Sequence, residues 1–171
     1  MEIYKGTATF SGIAIGKILY YSRGEYQIRQ CLVSNIKKEI SNFQEARLQA
    51  VQKLHELYEA NRLLNEQEAG VFLRQIKLLE SESYQNAIES SIANEKVNAA
   101  YAVMINRDEL VETFRHLEEP VIRRRINDMQ EISNRLIQIL GGAAIRINLG
   151  DEPVILVAEA LSPTEIMEMD K

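Results

Sequence analysis

The chain has 171 residues, of which 46% are hydrophobic and 26% are charged, and its formal net charge is −5. This apolar content excludes a disordered protein, and the negative charge argues against a nucleic-acid binder. No apolar run approaches the roughly 18 residues that a membrane span needs. The single cysteine, Cys31, excludes an internal disulfide, and its isolation favours a reducing, cytoplasmic location.

The first segment, residues 1 to about 32, has a strand-like pattern interrupted by glycines. One short strand is predicted around residues 3–10, and residues 18–21 predict a second one. Glycines in this segment are typical of turns or of a close approach between backbones. The stretch from Gly12 to Gly16 lacks the Gly-Lys-Ser/Thr ending of a phosphate-binding loop.

The second segment, residues 33–142, has a helical pattern almost throughout, because its apolar residues recur every three or four positions. We predict four helices, which begin near Ser34, Asn65, Asn98 and Pro120. The last of them ends at the glycine pair 141–142. The apolar stripe of the first helix runs for roughly 30 residues, or about 45 Å, which favours paired helical hairpins.

The third segment, residues 143–171, returns to a strand pattern. Residues 154–158 predict a buried strand, and Ser162-Pro163-Thr164-Glu165 has the signals of a helix start. We therefore expect a front fragment of a longer protein. The predicted fold is mainly α: a four-helix subdomain, residues 33–142, inserted into an incomplete α/β domain formed by residues 1–32 and 143–171.

Side chains that could carry chemistry are few. His55 and His116 lie within helical segments, and neither has another histidine or a cysteine at metal-ligand spacing. The basic cluster Arg123-Arg124-Arg125 is either a solvated helix face or a contact for an acidic partner or a phosphate. The sequence therefore predicts no complete active site and no metal site.

The second predicted helix has apolar residues on two faces. Ala69, Phe72, Ile76 and Leu79 group on one side at 100° per residue, whereas Val71 and Leu78 fall nearly opposite them. Arg74 and Gln75 flank this second side. Such a helix is either buried on both sides or docks a partner, and the pattern alone leaves both interpretations open.

Four segments, in order along the chain, resemble enzyme I of the bacterial phosphoenolpyruvate:sugar phosphotransferase system. Ser11–Gly16 resembles its start, and Ile76–Glu80 resembles the second helix of its helical subdomain. Arg125–Leu136 is similar to the signature Arg-x-x-Asp-x-x-Asp-Ile-x-x-Arg-Leu, and Val154–Glu165 resembles the return strand and the helix after it. The resemblance covers essentially the whole chain.

The resemblance implies an α/β domain of phosphohistidine type with a helical insert. In that family a histidine receives phosphate from phosphoenolpyruvate and passes it to the phosphocarrier HPr, which docks on the insert. A C-terminal barrel domain binds phosphoenolpyruvate and Mg²⁺. The family's Gly-Gly-x-Thr-Ser-His motif is absent here, so we expect no catalytic residue, metal ligand or cofactor in this chain, and no activity from it alone.

The resemblance also implies a docking surface by position. Its residues are Val71, Arg74, Gln75, Leu78, Glu82, Tyr84, Phe114, Leu117 and Arg125. The sequence departs from the family at two points. The family often has Phe-Glu-x-His where this chain has Phe72-Leu73-Arg74-Gln75, and it usually has Asp where this chain has Ala160. The alternative hypothesis is a non-enzymatic helical module that oligomerises through the long stripe of residues 36–64.

Overall fold

The structure is a computed structural model that describes residues 11–21, 28–63, 66–114, 116–117, 119–141, 153–158, 161 and 166. The chain divides into two compact units. One unit combines Met1–Glu25 with Ile147–Lys171, and the other is Tyr26–Arg146.

The first unit contains a small parallel sheet. Strand β1, Lys17–Tyr21, pairs in parallel with strand β2, Val154–Ala158. A side chain at Gly16 would place its Cβ only 2.9 Å from the carbonyl oxygen of Pro153, so this approach of the two strands requires glycine. The strands predicted at residues 18–21 and 154–158 are confirmed, but β2 is half-buried rather than buried, and Val157 is 40% exposed. The strand predicted around residues 3–10 and the start of the helix predicted at Ser162 lie outside the described residues.

The second unit is helical, which confirms the mainly α fold class. Its described residues form five helices rather than the four predicted. They are α1, Ile36–Asn61; α2, Glu66–Glu80; α3, Glu82–Glu95; α4, Ala99–Phe114; and α5, Pro120–Leu140. The unpredicted helix is α3, which begins after Ser81, where the Ser81 hydroxyl accepts a hydrogen bond from the Tyr84 amide at 3.3 Å.

The helical core combines predicted apolar stripes with buried residues of the unpredicted helix α3. Helix α1 buries Phe43, Ala46, Ala50, Leu54 and Leu57, and the other helices contribute Phe72, Leu79, Ile88, Ile92, Val103, Ile132 and Leu136, among others. Helix α1 begins one residue later than predicted, since its cap is Asn35, whose side chain accepts from the Lys38 amide at 3.0 Å. Such a cap contributes about 1 kcal/mol.

Two backbone hydrogen bonds fix the segment that leads into α1. The Val33 amide donates to the Lys96 carbonyl at 2.8 Å, and the Asn98 amide donates to the Cys31 carbonyl at 3.1 Å. Lys96 adopts φ 55°, a left-handed conformation that ends α3 and turns the chain toward α4. The start of α1 is therefore tied to the α3–α4 connection by backbone hydrogen bonds.

Candidate functional site

Helix α2 buries one side and leaves the other partly open. Phe72 and Leu79 are fully buried, whereas Val71 and Leu78 are half-buried and the Arg74 side chain is 43% exposed. The two apolar faces seen in the sequence thus differ in the structure. The face with Val71 and Leu78 keeps apolar area available after the helix has packed within the chain.

Two polar pairs join α2 to α5. The Arg74 guanidinium donates through Nε to Asp128 Oδ2 at 3.0 Å, and the Gln75 amide donates to Glu131 Oε2 at 2.6 Å. We call these four residues the α2–α5 seam. The Asp128 side chain is only 10% exposed, so it depends on Arg74 for charge compensation. The seam fixes how α2 lies on α5.

Two more polar pairs continue along α5. The Tyr84 hydroxyl lies 3.4 Å from Ser133 Oγ, and Arg107 Nη1 donates to Asn134 Oδ1 at 2.9 Å. Burial raises the pKa of Tyr84 to about 12, while the Ser133 hydrogen bond and the nearby Arg107 charge lower it. The phenol therefore stays protonated and neutral at ordinary pH, and it serves as a buried hydrogen-bonding group.

The N-terminal half of α5 exposes a stripe that meets the seam. Val121, Arg124 and Arg125 are exposed, Val121 to 74%, and they lie at i−7, i−4 and i−3 from Asp128. This spacing puts them on one side of the helix. Leu117, in the turn before α5, is 43% exposed. We call the set the α2–α5 face; its residues are Val71, Arg74, Leu78, Leu117, Val121, Arg124 and Arg125.

The structure corrects part of the predicted docking surface. Gln75 is 1% exposed and Tyr84 is 7% exposed, so neither side chain is available to a partner in this conformation. Both instead support the surface from beneath, through Glu131 and Ser133. Of the other predicted residues outside the face, Glu82 is exposed in the first turn of α3 and Phe114 is half-buried at the end of α4.

Val121 is the surface residue that sequence reasoning missed. Its signal was present, because Val121 lies beside the core stripe of Ile122, Ile126 and Met129 rather than within it. A valine at such a position, next to three arginines, is an apolar side chain that the helix cannot bury. The neighbouring cluster Arg123-Arg124-Arg125 is exposed.

Other candidate sites are weaker. His55 and His116 are exposed, and the described residues contain no group of three or more His, Cys, Asp or Glu placed to hold a metal ion. A polar groove of about 460 Å³ lies near the starts of α1 and α4, but its Glu39 carboxylate already accepts from the Ala99 amide at 2.9 Å. Among these same residues, no helix has both the length and the apolar character to cross a membrane.

Comparison with known sequences finds a matching family and several relatives. A family described as "PEP-utilising enzyme, N-terminal" matches residues 5–125. A phosphoenolpyruvate-protein phosphotransferase from Borreliella burgdorferi is 27% identical over 169 residues, covering 96% of this chain and 30% of the relative. The enzyme of the same name from Haemophilus influenzae is 29% identical over 170 residues, covering 96% of this chain and 29% of the relative.

Comparison with solved structures shows a shared fold. A solution NMR structure of Enzyme I has a TM-score of 0.76 at 22% identity, covering 91% of this chain and 64% of that one. The N-terminal domain of a protein titled "Enzyme 1 - Nitrogen" has a TM-score of 0.72 at 20% identity, covering 94% and 66%. The chain thus spans about a third of the length of the curated relatives it matches.

Proposed function

The chain belongs to the PEP-utilising enzyme N-terminal family, and from that premise we propose that it is the partner-docking part of a phosphoenolpyruvate-dependent protein phosphotransferase. In this proposal an HPr-type phosphocarrier binds the α2–α5 face and exchanges a phosphoryl group between histidines. Support comes from relatives that are named phosphoenolpyruvate-protein phosphotransferase and that match nearly the whole chain.

The observation that carries the proposal is the composition of the α2–α5 face. Val71, Leu78, Leu117 and Val121 leave apolar area open, and charged side chains lie around them. An apolar centre with a polar rim is the usual anatomy of a protein interface. Because the seam anchors α2 on α5, the apolar anchors of the two helices are held in a fixed relation to each other.

The small number of apolar anchors on the face suits a transient complex. A phosphocarrier must release after each transfer, so its interface is expected to bury less than about 1,200 Å². An affinity near 1 μM, or roughly 8 kcal/mol, allows such exchange. A few apolar anchors on two helices fit this requirement better than an extended hydrophobic surface does.

The proposal gives the helical unit a binding role and no phosphoryl chemistry. The side chains of His55 and His116 make no hydrogen bond among the described residues, and both residues are exposed. An imidazole that takes part in chemistry is normally oriented by a hydrogen bond to its second nitrogen, so we propose that neither accepts the phosphoryl group. Binding of phosphoenolpyruvate and Mg²⁺ by the longer protein stays a prediction.

The alternative of oligomerisation through α1 loses its main support. The stripe that suggested it includes Phe43, Ala50 and Leu54, and all three are buried within the chain itself. An apolar stripe that is already covered by α2 and α5 is not available to a second copy. Leu117 and Val121 of the α2–α5 face are exposed apolar side chains among the described residues, as are Leu32, Leu48 and Leu63 outside that face.

A titration followed by NMR tests the proposal. We expect the HPr-type phosphocarrier encoded in the same genome to shift amide resonances of residues 71–84 and 114–125 in fast exchange, because micromolar complexes dissociate quickly. Resonances in the outer turns of α1 serve as the internal control. Absence of binding, or shifts confined to residues outside these two stretches, would refute the docking role.

A further inference from the structure

We infer that the docked phosphocarrier contacts the backbone of α2 at Gly70, where the missing side chain leaves room for an apolar group of the partner. This inference rests on the proposed function and adds a contact residue that borders the α2–α5 face. Gly70 then limits which partners fit, because a side chain at this position would occupy the same space.

The local structure of α2 does not require glycine at position 70. Gly70 lies in the interior of the helix, four residues after Glu66, where α2 begins. Its backbone is helical and its φ is not in the left-handed region. Glycine in a helix interior is less favourable than alanine, because its backbone loses more conformational freedom on folding. The residue therefore lowers the stability of α2 without serving a turn or a cap.

The packing of the bundle does not require glycine there either. A Cβ added at Gly70 would meet no atom of the described residues within 4 Å, its chain neighbours and the backbone of its own helix aside. Gly16 is the opposite case, since a Cβ there would lie 2.9 Å from the Pro153 carbonyl oxygen. The fold explains Gly16, whereas the space over Gly70 is left open by the described part of the chain.

Gly70 lies next to the residues of α2 that belong to the α2–α5 face. Val71 follows it directly, and Arg74 and Leu78 lie one and two turns further along the helix. At 100° per residue, Gly70 is about 40° from Arg74 and about 80° from Leu78 around the helix axis. A partner that covers half-buried Val71 and Leu78 therefore extends over Gly70 as well.

The depression at Gly70 suits an apolar group. A helix position without a Cβ lets another molecule approach the backbone closely. The adjacent anchors Val71 and Leu78 are apolar, so a partner group that fills the depression is surrounded by apolar atoms and loses its water. Filled, desolvated depressions of this kind contribute much of the binding free energy of protein interfaces.

Substitution of Gly70 should change stability and binding in opposite directions. Gly70→Ala should raise the midpoint of urea unfolding, because alanine favours a helix more than glycine does. The same variant should weaken binding of the phosphocarrier by about two- to fivefold, since its methyl group takes space from the partner. Gly70→Val should weaken binding by more than about tenfold, because a branched side chain cannot rotate out of the contact. Isothermal titration calorimetry with the HPr-type phosphocarrier of the same genome measures Kd.

The matched control is Ala87, which is exposed on α3 and lies outside the α2–α5 face. Ala87→Gly should lower the midpoint of urea unfolding, whereas Ala87→Gly and Ala87→Val should both keep the wild-type Kd. Glycine, alanine and valine are thus compared at one helical position under the partner and at one outside it.

The outcomes distinguish this inference from the proposed function. If the phosphocarrier shifts residues of the α2–α5 face but both Gly70 variants keep the wild-type Kd, only the inference about Gly70 is wrong. If Gly70→Ala unfolds at a lower urea concentration than the wild type, the fold itself requires glycine, and the inference is again wrong. Equal weakening by Ala87→Val and Gly70→Val would also overturn it, because the effect would not depend on the contact. If the wild-type chain does not bind the phosphocarrier at this face, the docking role itself is refuted.

Discussion

Helices α1 and α5 are both long and both central, yet they are held by different interactions. All the buried residues of α1 are apolar, from Phe43 to Leu57. Helix α5 buries Met129, Ile132, Leu136 and Ile137, but it also buries Asp128 and Ser133. Those two polar residues contact Arg74 and Tyr84 on neighbouring helices.

This difference assigns separate roles to the two kinds of interaction: apolar burial stabilises the bundle, whereas the polar pairs set the position of the neighbouring helices. Apolar burial is strong but non-directional, so it holds α1 in the core without specifying its rotation closely. A hydrogen bond between buried side chains requires a particular distance and angle. We therefore expect the polar pairs of α5 to contribute less to stability than the α1 core, and to fix the position of α2 and so the shape of the α2–α5 face.

The largest expected effect comes from the α1 core. Leu54→Ala removes a fully buried side chain and leaves a cavity, which should lower the free energy of unfolding by about 2–5 kcal/mol. The matched control is Leu48→Ala on the same helix, since Leu48 is 57% exposed; its effect should stay within about 0.5 kcal/mol. Urea unfolding followed by circular dichroism measures both, and equal losses would contradict the assignment of α1 to the core.

The second largest expected effect is the coupling free energy between Arg74 and Asp128 in the α2–α5 seam. Arg74–Asp128 and Arg62–Glu59 have similar distances, 3.0 and 2.9 Å, but the carboxylates are 10% and 57% exposed. Double-mutant cycles should give a coupling of about 1–2 kcal/mol for the first pair and less than about 0.5 kcal/mol for the second. For each cycle, urea unfolding measures the free energy of unfolding of the wild type, the two single alanine variants and the double variant.

A coupling free energy for Arg74–Asp128 no larger than that for Arg62–Glu59 would contradict this prediction. It would mean that α5, like α1, is held by its apolar residues alone. The placement of α2 would then have to be explained by packing of Phe72, Ile76 and Leu79, which are buried on the opposite side of α2 from Val71.

Sequence reasoning found the parts of the fold that depend on local pattern. The period of apolar residues gave α1 and α5, and Pro120 and Gly141 marked the ends of α5. Helix α3 was missed because its buried residues, Tyr84, Ile88 and Ile92, occur only once per turn among polar residues. Its position depends on packing against α4, which a window of local sequence does not contain.

The site was less predictable than the fold for the same reason. Gln75 follows an arginine and reads as a solvent-facing residue, but the structure buries it against Glu131, which is 56 residues away in sequence. The resemblance pointed to this stretch of α2. It could not tell exposed Arg74 from buried Gln75, because that difference depends on the rotation of α2 against α5.

The smallest effect tests the buried phenol of Tyr84. Its pKa is raised to about 12 in the folded chain, against about 10 in an unfolded one. Protonated Tyr84 is thus favoured by folding, so its contribution to stability is complete below pH 10 and is lost as the pH rises toward 12. Tyr84→Phe should lower the free energy of unfolding by about 1 kcal/mol or less at pH 7, because only the long contact to Ser133 disappears. Above pH 10 the variant should lose stability less steeply than the wild type does.

Tyr58→Phe, at a half-buried tyrosine of α1, is the control for the loss of a phenolic hydroxyl. Lysines also titrate in this range, so the informative quantity is the difference between the wild-type and variant slopes. Identical slopes for wild type and Tyr84→Phe would mean that the phenol is reached by solvent. The packing of α3 against α5 around Tyr84 would then be looser than the apolar packing around α1. The polar pairs of α5 would not hold the neighbouring helices in a fixed position at Tyr84.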